Sequence, residues 1–392
     1  MPPAKTSSVV AAAAAAAAAI LIVARLRRRR RAPPSGLSSR PAKPDDYATL
    51  CALDAIPPTH GGHSLFDVRL TRASREGVQK ILVLCEGGGE ALAWGTVLLE
   101  PKFLRGGSCV AHLHLGAGGS AARRHALLAR LCAVAQRAGC YKAILDAPPF
   151  KADELAAAAG MRATQQTMRR ALPSTVPPAP VGPFALGGPA AAAANTAHVA
   201  RAAAASEPVQ HLVEFAPQLL GPPGSALGGM RLRALRASDG PAAFLALLAQ
   251  LSVAPHINAA DFAARVEAAR DAPTHAVLVV ERVADGTLLG CATLAIERRP
   301  LAPKGAGVGG RLEDVVIDAA ARGTGLGRAL VDAVAALAAR CLCAELTLNC
   351  KPHNAPFYEK LGFEWSAACF AVYFDNGDVT PTVERRGTPG AA

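Results

Sequence analysis

Between Arg311 and Phe363 the chain packs a strand pattern, a cluster of glycines, a helix pattern and a second strand pattern into close succession. Arg311-Leu-Glu-Asp-Val-Val-Ile-Asp318 reads as an apolar strand with acidic residues at its start, and Arg322-Gly-Thr-Gly-Leu-Gly327 follows at once. Residues Gly327 to Arg340 then place Leu330, Val334 and Leu337 on one face of a helix. Such closely spaced glycines permit a tight turn whose successive N–H groups point into one concavity. Where that turn feeds a helix N-terminus it binds a pyrophosphate without any lysine. The segment is not a P-loop, because no Gly-Lys-Ser/Thr follows, nor a dinucleotide fingerprint, because Arg328 stands where the third glycine belongs. On the glycines alone, an ordinary strand-to-helix turn competes on equal terms. The flanks shift the balance, above all Asn354-Ala-Pro-Phe-Tyr-Glu-Lys-Leu-Gly-Phe363.

The order acidic strand, Arg-x-x-Gly-x-Gly-type loop, helix, apolar strand and Phe-Tyr-Glu-Lys-Leu-Gly-Phe resembles the GNAT-fold acetyltransferases. Glu313-Asp-Val-Val316 and Phe357-Tyr-Glu-Lys-Leu-Gly-Phe363 are most similar to the glucosamine-6-phosphate N-acetyltransferase branch. The resemblance covers roughly residues 229–376. It implies a mixed α/β sheet with helices on both faces, acetyl-CoA wedged between two splayed strands, and direct attack of a sugar amine on the thioester. The product would be N-acetylglucosamine 6-phosphate, on the route to UDP-N-acetylglucosamine. It also implies that acetyl-CoA is held by Val315, Val316, Ile317, Arg322, Gly323, Thr324, Gly325, Leu326, Gly327, Asn354, Tyr358, Glu359 and Lys360. Tyr358 would protonate the departing thiolate, with Glu313 and Asp314 orienting the sugar and its amine; the competing readings are a phenol packed on Phe357 and Phe363 and a solvated strand start.

A fainter copy lies upstream. Gly139-Cys-Tyr-Lys-Ala-Ile-Leu-Asp146 aligns with Leu342-Cys-Ala-Glu-Leu-Thr-Leu-Asn349, each preceded by an Ala/Leu helix and followed by a Gly-hydrophobic pair, Gly160-Met161 and Gly362-Phe363. We therefore expect two tandem GNAT-fold domains, residues 44–172 and 229–376, joined by a Pro/Ala/Gly-rich linker 173–228. The copies have lost different things. Upstream, the phosphate loop has become Gly119-Ser-Ala-Ala-Arg-Arg124, the acidic pair has become His114-Leu115, and Leu155 replaces the tyrosine. The sugar-side residues that the resemblance implies survive there as Lys102, Arg105, Tyr141, Lys142, Asp146 and Arg169 or Arg170, whereas downstream the matching positions read Ala344, Glu345 and Asn349. This reciprocity suggests an internal pseudo-dimer with one composite site; the rival is an upstream copy that merely supports the fold. Asn349 replaces an acceptor with an amide, which leaves another small amine, a protein amine or a non-catalytic acetyl-CoA-binding scaffold open as alternatives. A homodimer remains open too. Asn354 is expected as a helix cap.

The net charge of +12 invites a nucleic-acid reading, but residues 1–44 hold nine Lys/Arg and no acid, which leaves only +3 for the rest. Neither domain carries a basic stripe with interleaved aromatics, so no nucleic-acid partner is expected. Val9 to Ala24 is a 16-residue apolar run, mostly Ala, followed by the arginines. A spanning helix needs about 20 apolar residues. The order fits a marginal anchor that leaves a cytoplasmic enzyme tethered on the cytosolic face of the endoplasmic reticulum; an organelle transit segment and a plain low-complexity extension remain rivals. The tail 377–392 reads as disordered. The ten cysteines have no C-x-x-C spacing and read as reduced thiols. His112 and His114 on alternate strand positions lack further ligands in the sequence, and no metal is expected.

Overall fold

Runs of alternating and continuous apolar residues give strands that join into a single mixed sheet. The molecule was analysed as a computed structural model that describes residues 36–56, 62–103, 109–147, 159–172, 218–220, 225, 227–254, 256–271, 274–299, 301 and 308–374. The upstream strands are β1 (Leu37–Pro41), β2 (Gln79–Glu86), β3 (Ala91–Pro101), β4 (Cys109–Leu115), β5 (Cys140–Ala147) and β6 (Arg162–Ala171). Downstream come β7 (Gln218–Leu219), β8 (Met230–Ala234), β9 (His275–Arg282), β10 (Leu288–Arg298), β11 (Val308–Ile317), β12 (Glu345–Cys350) and β13 (Glu364–Tyr373). Their order across the sheet is β1-β2-β3-β4-β5-β13-β6-β12-β11-β10-β9-β8-β7. The last strand of each half has crossed into the other: β13 lies between β5 and β6, and β6 lies between β13 and β12. Only β4–β5 and β11–β12 are parallel, and each parallel pair is bridged by a helix.

Those bridging helices are α3 (Ala121–Arg137) and α6 (Leu326–Arg340). Leu127, Leu128, Leu131 and Ala135 of α3 pack on Leu84, Val97, Leu113 and Leu145. Leu330, Val334 and Leu337 of α6 pack on Leu278, Leu294, Leu312 and Leu346, so the sequence-derived apolar face is the buried one. On the opposite sheet face stand α1 (Tyr47–Leu53) and α2 (Gly62–Glu76) upstream, and α4 (Pro241–Leu248) and α5 (Ala259–Asp271) downstream; α7 (Ala355–Glu359) closes the set.

The halves also exchange anchors. Phe103, just past β3, is buried in the downstream core with its ring 5.2 Å from Phe244 and 5.7 Å from Phe262. Leu301, just past β10, is buried in the upstream core beside Leu50 and Phe66. Gln79 clasps the main chain of Arg298, donating to its carbonyl at 2.7 Å and accepting from its N–H at 3.1 Å.

Three expected boundaries move. The upstream unit begins by Leu37 rather than at residue 44, because Leu37–Pro41 pairs with β2 and Arg40 binds the buried Asp46 at 2.7 Å. Leu326 joins the helix that follows the glycines. Gln218–Leu219, inside the expected linker, forms an edge strand on β8. Residues 173–217, the apolar N-terminal run and the tail lie outside the described residues, as do Arg105 and Leu155. Among the described residues no helix is long and apolar enough to cross a membrane.

Strand exchange makes the two halves one cooperative unit. Phe103→Ala removes an upstream side chain from the downstream core and is expected to cost about 3–5 kcal/mol. The fluorescence of Trp94 in β3 and of Trp365 in β13, followed in single-tryptophan variants under denaturant, should shift together to the same lower midpoint.

Candidate functional site

The parallel pair β11–β12 is joined only at Gly310–Leu346 and Arg311–Thr347; β11 then runs on to Ile317 and β12 to Cys350 without further pairing. Upstream, the equivalent pair is zipped from Cys109–Cys140 to Leu113–Leu145. At the opening, β11 carries a bulge: Cys291 faces Val316 while Thr293 faces Glu313, so β11 has one residue in surplus over β10. Asp314 absorbs it in a left-handed conformation, φ +52°. Glu313 and Asp314 therefore sit inside the strand, which begins at Val308; they are not its solvated start, and their side chains are only 14% and 16% exposed. Past the bulge Val316 faces the α4–α5 core, while Val315 and Ile317 lean against the α6 core.

The glycine loop lies at the end of the open strand. Gly323 and Gly325 have φ of +79° and +87°, conformations that non-glycine residues adopt only at a cost. Gly325 is also the N-cap of α6 and contributes no side chain, so the first-turn amides keep no side-chain acceptor. Gln250 of the downstream half, missed in the sequence reading, fixes the approach: it donates to Asp318 at 2.8 Å and accepts from Ala319 N–H at 2.9 Å and from Arg322 at 3.2 Å. Thr324 donates to the Ala321 carbonyl at 2.7 Å, and Leu326 is buried. Gly327 packs against Phe357, the exposed neighbour of Tyr358. Tyr358 is 9% exposed, with its ring 5.0 Å from Phe357 and 5.8 Å from Phe363. Burial raises its pKa, which keeps the phenol protonated as a donor. Glu359 and Lys360 are exposed, and the Lys360 carbonyl accepts from Arg328 at 2.8 Å. Asn354 occupies the N-cap position of α7 as expected but makes no side-chain capping bond, because its own backbone is helical at φ −91°, ψ −13°.

The matching upstream turn is filled. A methyl group added at Gly116 would strike the Trp94 indole, and one at Gly118 would strike the Leu53 main chain. The Gly118 N–H is already given to Asp54 at 3.1 Å, and Ser120 caps α3 by accepting from Arg123 N–H.

Side chains from both halves meet beside the bulge. Lys102, delivered by the Phe103 anchor, is 6% exposed and places Nζ 2.6 Å from Glu100, 3.0 Å from Asp314 and 3.7 Å from Glu313. Burial alone would lower the ammonium's pKa, but Asp314, Glu100 and Glu313 outweigh it and hold it well above the usual lysine range. Burial raises the pKa of Asp314 even with Lys102 beside it. His112 is kept neutral by burial and by Arg311, so its Nε2–H donates to Glu100 at 2.7 Å and Nδ1 is left unpartnered.

Arg311, 4% exposed, donates to Asp146 at 2.8 Å across the boundary. Burial opposes ionisation of Asp146, but Arg311 prevails and holds its pKa below the usual carboxylate range. Thr167 donates to the other Asp146 oxygen at 2.9 Å. The Asn349 amide satisfies all its neighbours with nitrogen toward Thr167 and oxygen 2.9 Å from an Arg311 guanidinium nitrogen.

Other expected residues stand apart from this cluster. Tyr141 packs near Tyr373, with ring centroids 6.5 Å apart, and Lys142 lies 5.9 Å from the same Tyr373 ring. Arg169 is half-exposed and 3.6 Å from Glu345, while Arg170 turns to the other sheet face to bind Asp332 of α6 at 2.8 Å. His112 and His114 do not act together: His114 lies against Trp94, with ring centroids 5.5 Å apart. Glu100, His112 and Glu313 do bring donor atoms within 4.8 Å of one another, a grouping that suits a metal ion, but the Lys102 ammonium already supplies positive charge among these carboxylates.

An amide cradle at a helix N-terminus, opening onto the free edge of a bulged strand, is the site of a protein that takes a pyrophosphate-bearing substrate lengthwise between parting strands. Residues 245–363 match the acetyltransferase (GNAT) family model. A rice protein named probable glucosamine 6-phosphate N-acetyltransferase 2 is 38% identical over 148 residues, 37% of this chain and 88% of its own length. A Drosophila melanogaster protein named probable glucosamine 6-phosphate N-acetyltransferase is 33% identical over 162 residues, 41% of this chain and 72% of its own. The crystal structure of glucosamine-6-phosphate N-acetyltransferase from Arabidopsis thaliana matches 37% of this chain and 99% of its own at 31% identity, with a TM-score of 0.35. This chain belongs to the GNAT acetyltransferase family, and is an N-acetyltransferase by class.

Because His112 is neutral when folded, the unfolded chain binds an extra proton below the ordinary histidine pKa of about 6.5. Stability should therefore decline as pH falls below about 6.5, by up to roughly 1.4 kcal/mol per pH unit from this residue. Urea midpoints measured against pH should show a shallower decline for His112→Gln.

Proposed function

We propose that this chain transfers acetyl from acetyl-CoA to the amine of glucosamine 6-phosphate at one site built from both halves. The observation that carries the reading is Lys102, an upstream ammonium held 3.0 Å from Asp314 at the bulge of the downstream strand. The two halves are tandem GNAT domains arranged as an internal pseudo-dimer, a reading supported by the exchanged last strands and the reciprocal anchors Phe103 and Leu301.

The downstream half is the cofactor half. Gly323, Gly325 and the uncapped start of α6 fit a pyrophosphate, and the free edge of β11 at Val315 and Ile317 offers main-chain groups to a pantetheine arm. The upstream half has no such room, since Trp94 and Leu53 occupy its turn. The bulge turns Glu313 and Asp314 toward the end of the opening, where they orient the acceptor amine; Lys102 neutralises them and presents a cation near the sugar phosphate. A sugar amine loses its proton not far above neutral pH, so no strong base is required. The neutral amine attacks the thioester carbon, the carbon–sulfur bond breaks, and the protonated Tyr358 phenol donates to the departing thiolate. Asp146 and Asn349 form the wall beside the bulge, tied to Arg311.

The assay is thiol release from acetyl-CoA with glucosamine 6-phosphate, glucosamine or free lysine as acceptor. Release should depend on the phosphate; release on lysine but not on the sugar phosphate would give the site to another amine, and binding without release would leave a scaffold. Tyr358→Phe should lower kcat about 10²-fold with KM little changed. Asp146→Asn, checked by circular dichroism for folding, should raise KM for the sugar phosphate about tenfold; unchanged kinetics would remove the upstream half from the site. Calorimetric titration should count one acetyl-CoA per chain, and two would show that the upstream turn opens.

A further inference from the structure

Cys109 opens β4 and Cys140 opens β5, and the two are Cα partners in the parallel ladder. Neighbouring strands run about 4.7–4.9 Å apart, inside the Cα separation of 4.4–6.8 Å that a disulfide spans. The two Sγ atoms stand 2.7 Å apart, only about 0.7 Å beyond a covalent S–S bond. Cys109 is half-buried, so a small oxidant can reach it, while Cys140 is fully buried behind it. The pair lies on the α3 side of the sheet, away from Lys102, Glu313 and Asp314.

The surroundings separate these thiols from others in the chain. The hydrogen bond with Cys140 holds the Cys109 thiol below its usual range. Burial instead pushes Cys132 up to about 11 and Cys369 up to about 12, which keeps them as inert thiols. A half-exposed thiol of lowered pKa with a second sulfur in contact is the arrangement of an attacking and a resolving cysteine.

We infer that Cys109 and Cys140 are a reversible dithiol–disulfide couple that responds to hydroperoxides. The Cys109 thiolate attacks one peroxide oxygen, the O–O bond breaks, hydroxide leaves and takes up a proton, and Cys109 becomes a sulfenic acid. The Cys140 sulfur then attacks the Cys109 sulfur, the S–OH bond breaks, and the second water departs with the Cys140 proton. Two thiols are oxidised and one peroxide is reduced to two waters. The bond ties together the bases of the strands that carry His112 and Asp146, and it closes a segment of 31 residues. A disulfide between directly opposed strand residues is of the exposed, labile kind, so a dithiol reductant reopens it.

The experiment uses the full chain, reduced, then treated with one equivalent of hydrogen peroxide, alkylated and digested without reductant. The expected result is a linked Cys109–Cys140 peptide, an intact mass lower by two hydrogens, reversal by dithiothreitol, and a raised Tm that Cys109→Ser does not show. Cys140→Ser should accumulate a sulfenic acid at Cys109 that dimedone captures, which keeps the inference testable if Cys109→Ser folds poorly. Recovery of Cys109 as an alkylated thiol or sulfinic acid with Cys140 free, or a disulfide between other cysteines, overturns the couple. Acetyl transfer is not the readout, so failure here would leave the proposed function standing.

Discussion

The antiparallel contact between β6 and β13 is the seam on which the molecule depends. These strands pair with each other from Glu364–Arg169 to Ala371–Arg162, and each turns its other edge to the opposite half, β13 to β5 and β6 to β12. Every main-chain edge at the centre of the sheet is thereby satisfied by a strand from far away in sequence. With the seam in place, Phe103 and Leu301 reach the cores of the opposite halves, and Lys102 is carried to within 3.0 Å of Asp314. Without it, β5 and β12 would each present an open edge.

Charge burial at the junction follows from that geometry. Five ionisable side chains, Glu100, Lys102, Glu313, Asp314 and Arg311, lie beside one another with little solvent. Taking such groups out of water is costly unless each finds a partner, and removing one partner strands the rest. The network is closed by groups from both halves: Lys102 answers three carboxylates, Arg311 answers Asp146, and a neutral His112 supplies Glu100 with a donor in place of a further cation. The halves are matched electrostatically as well as sterically, and the match is concentrated where the strand bulge exposes Asp314.

Much of the cofactor side was legible in the sequence, because its signals are local. Gly323, Gly325 and the apolar face of α6 lie within one short stretch, and period and turn chemistry suffice to read them. Reciprocal loss between the copies pointed to Lys102 and Asp146, both of which the structure brings to the junction. The partners of these residues were not legible. Glu100, His112, Thr167 and Gln250 become neighbours of the site only through strand pairing, and each read as one polar residue in an apolar or polar segment. Glu313 and Asp314 looked like a solvated strand start because the glycines before them hide where β11 begins. The expectation for Asn354 placed the right residue at a helix start, but only its measured backbone shows that the side chain is not used as a cap.

Strand exchange within one chain also changes how the molecule meets dilution. When a site is shared between separate subunits, its occupancy falls with protein concentration, since the subunits part by mass action. Here the partner strand is tethered, and its effective concentration is set by the connecting chain rather than by the solution. The fold is a monomer that behaves as a dimer that never dissociates. That permanence also frees the copies from having to be identical: a subunit that must pair with its own kind keeps both halves of a site, whereas Trp94 could fill the upstream turn because the downstream turn is always present beside it.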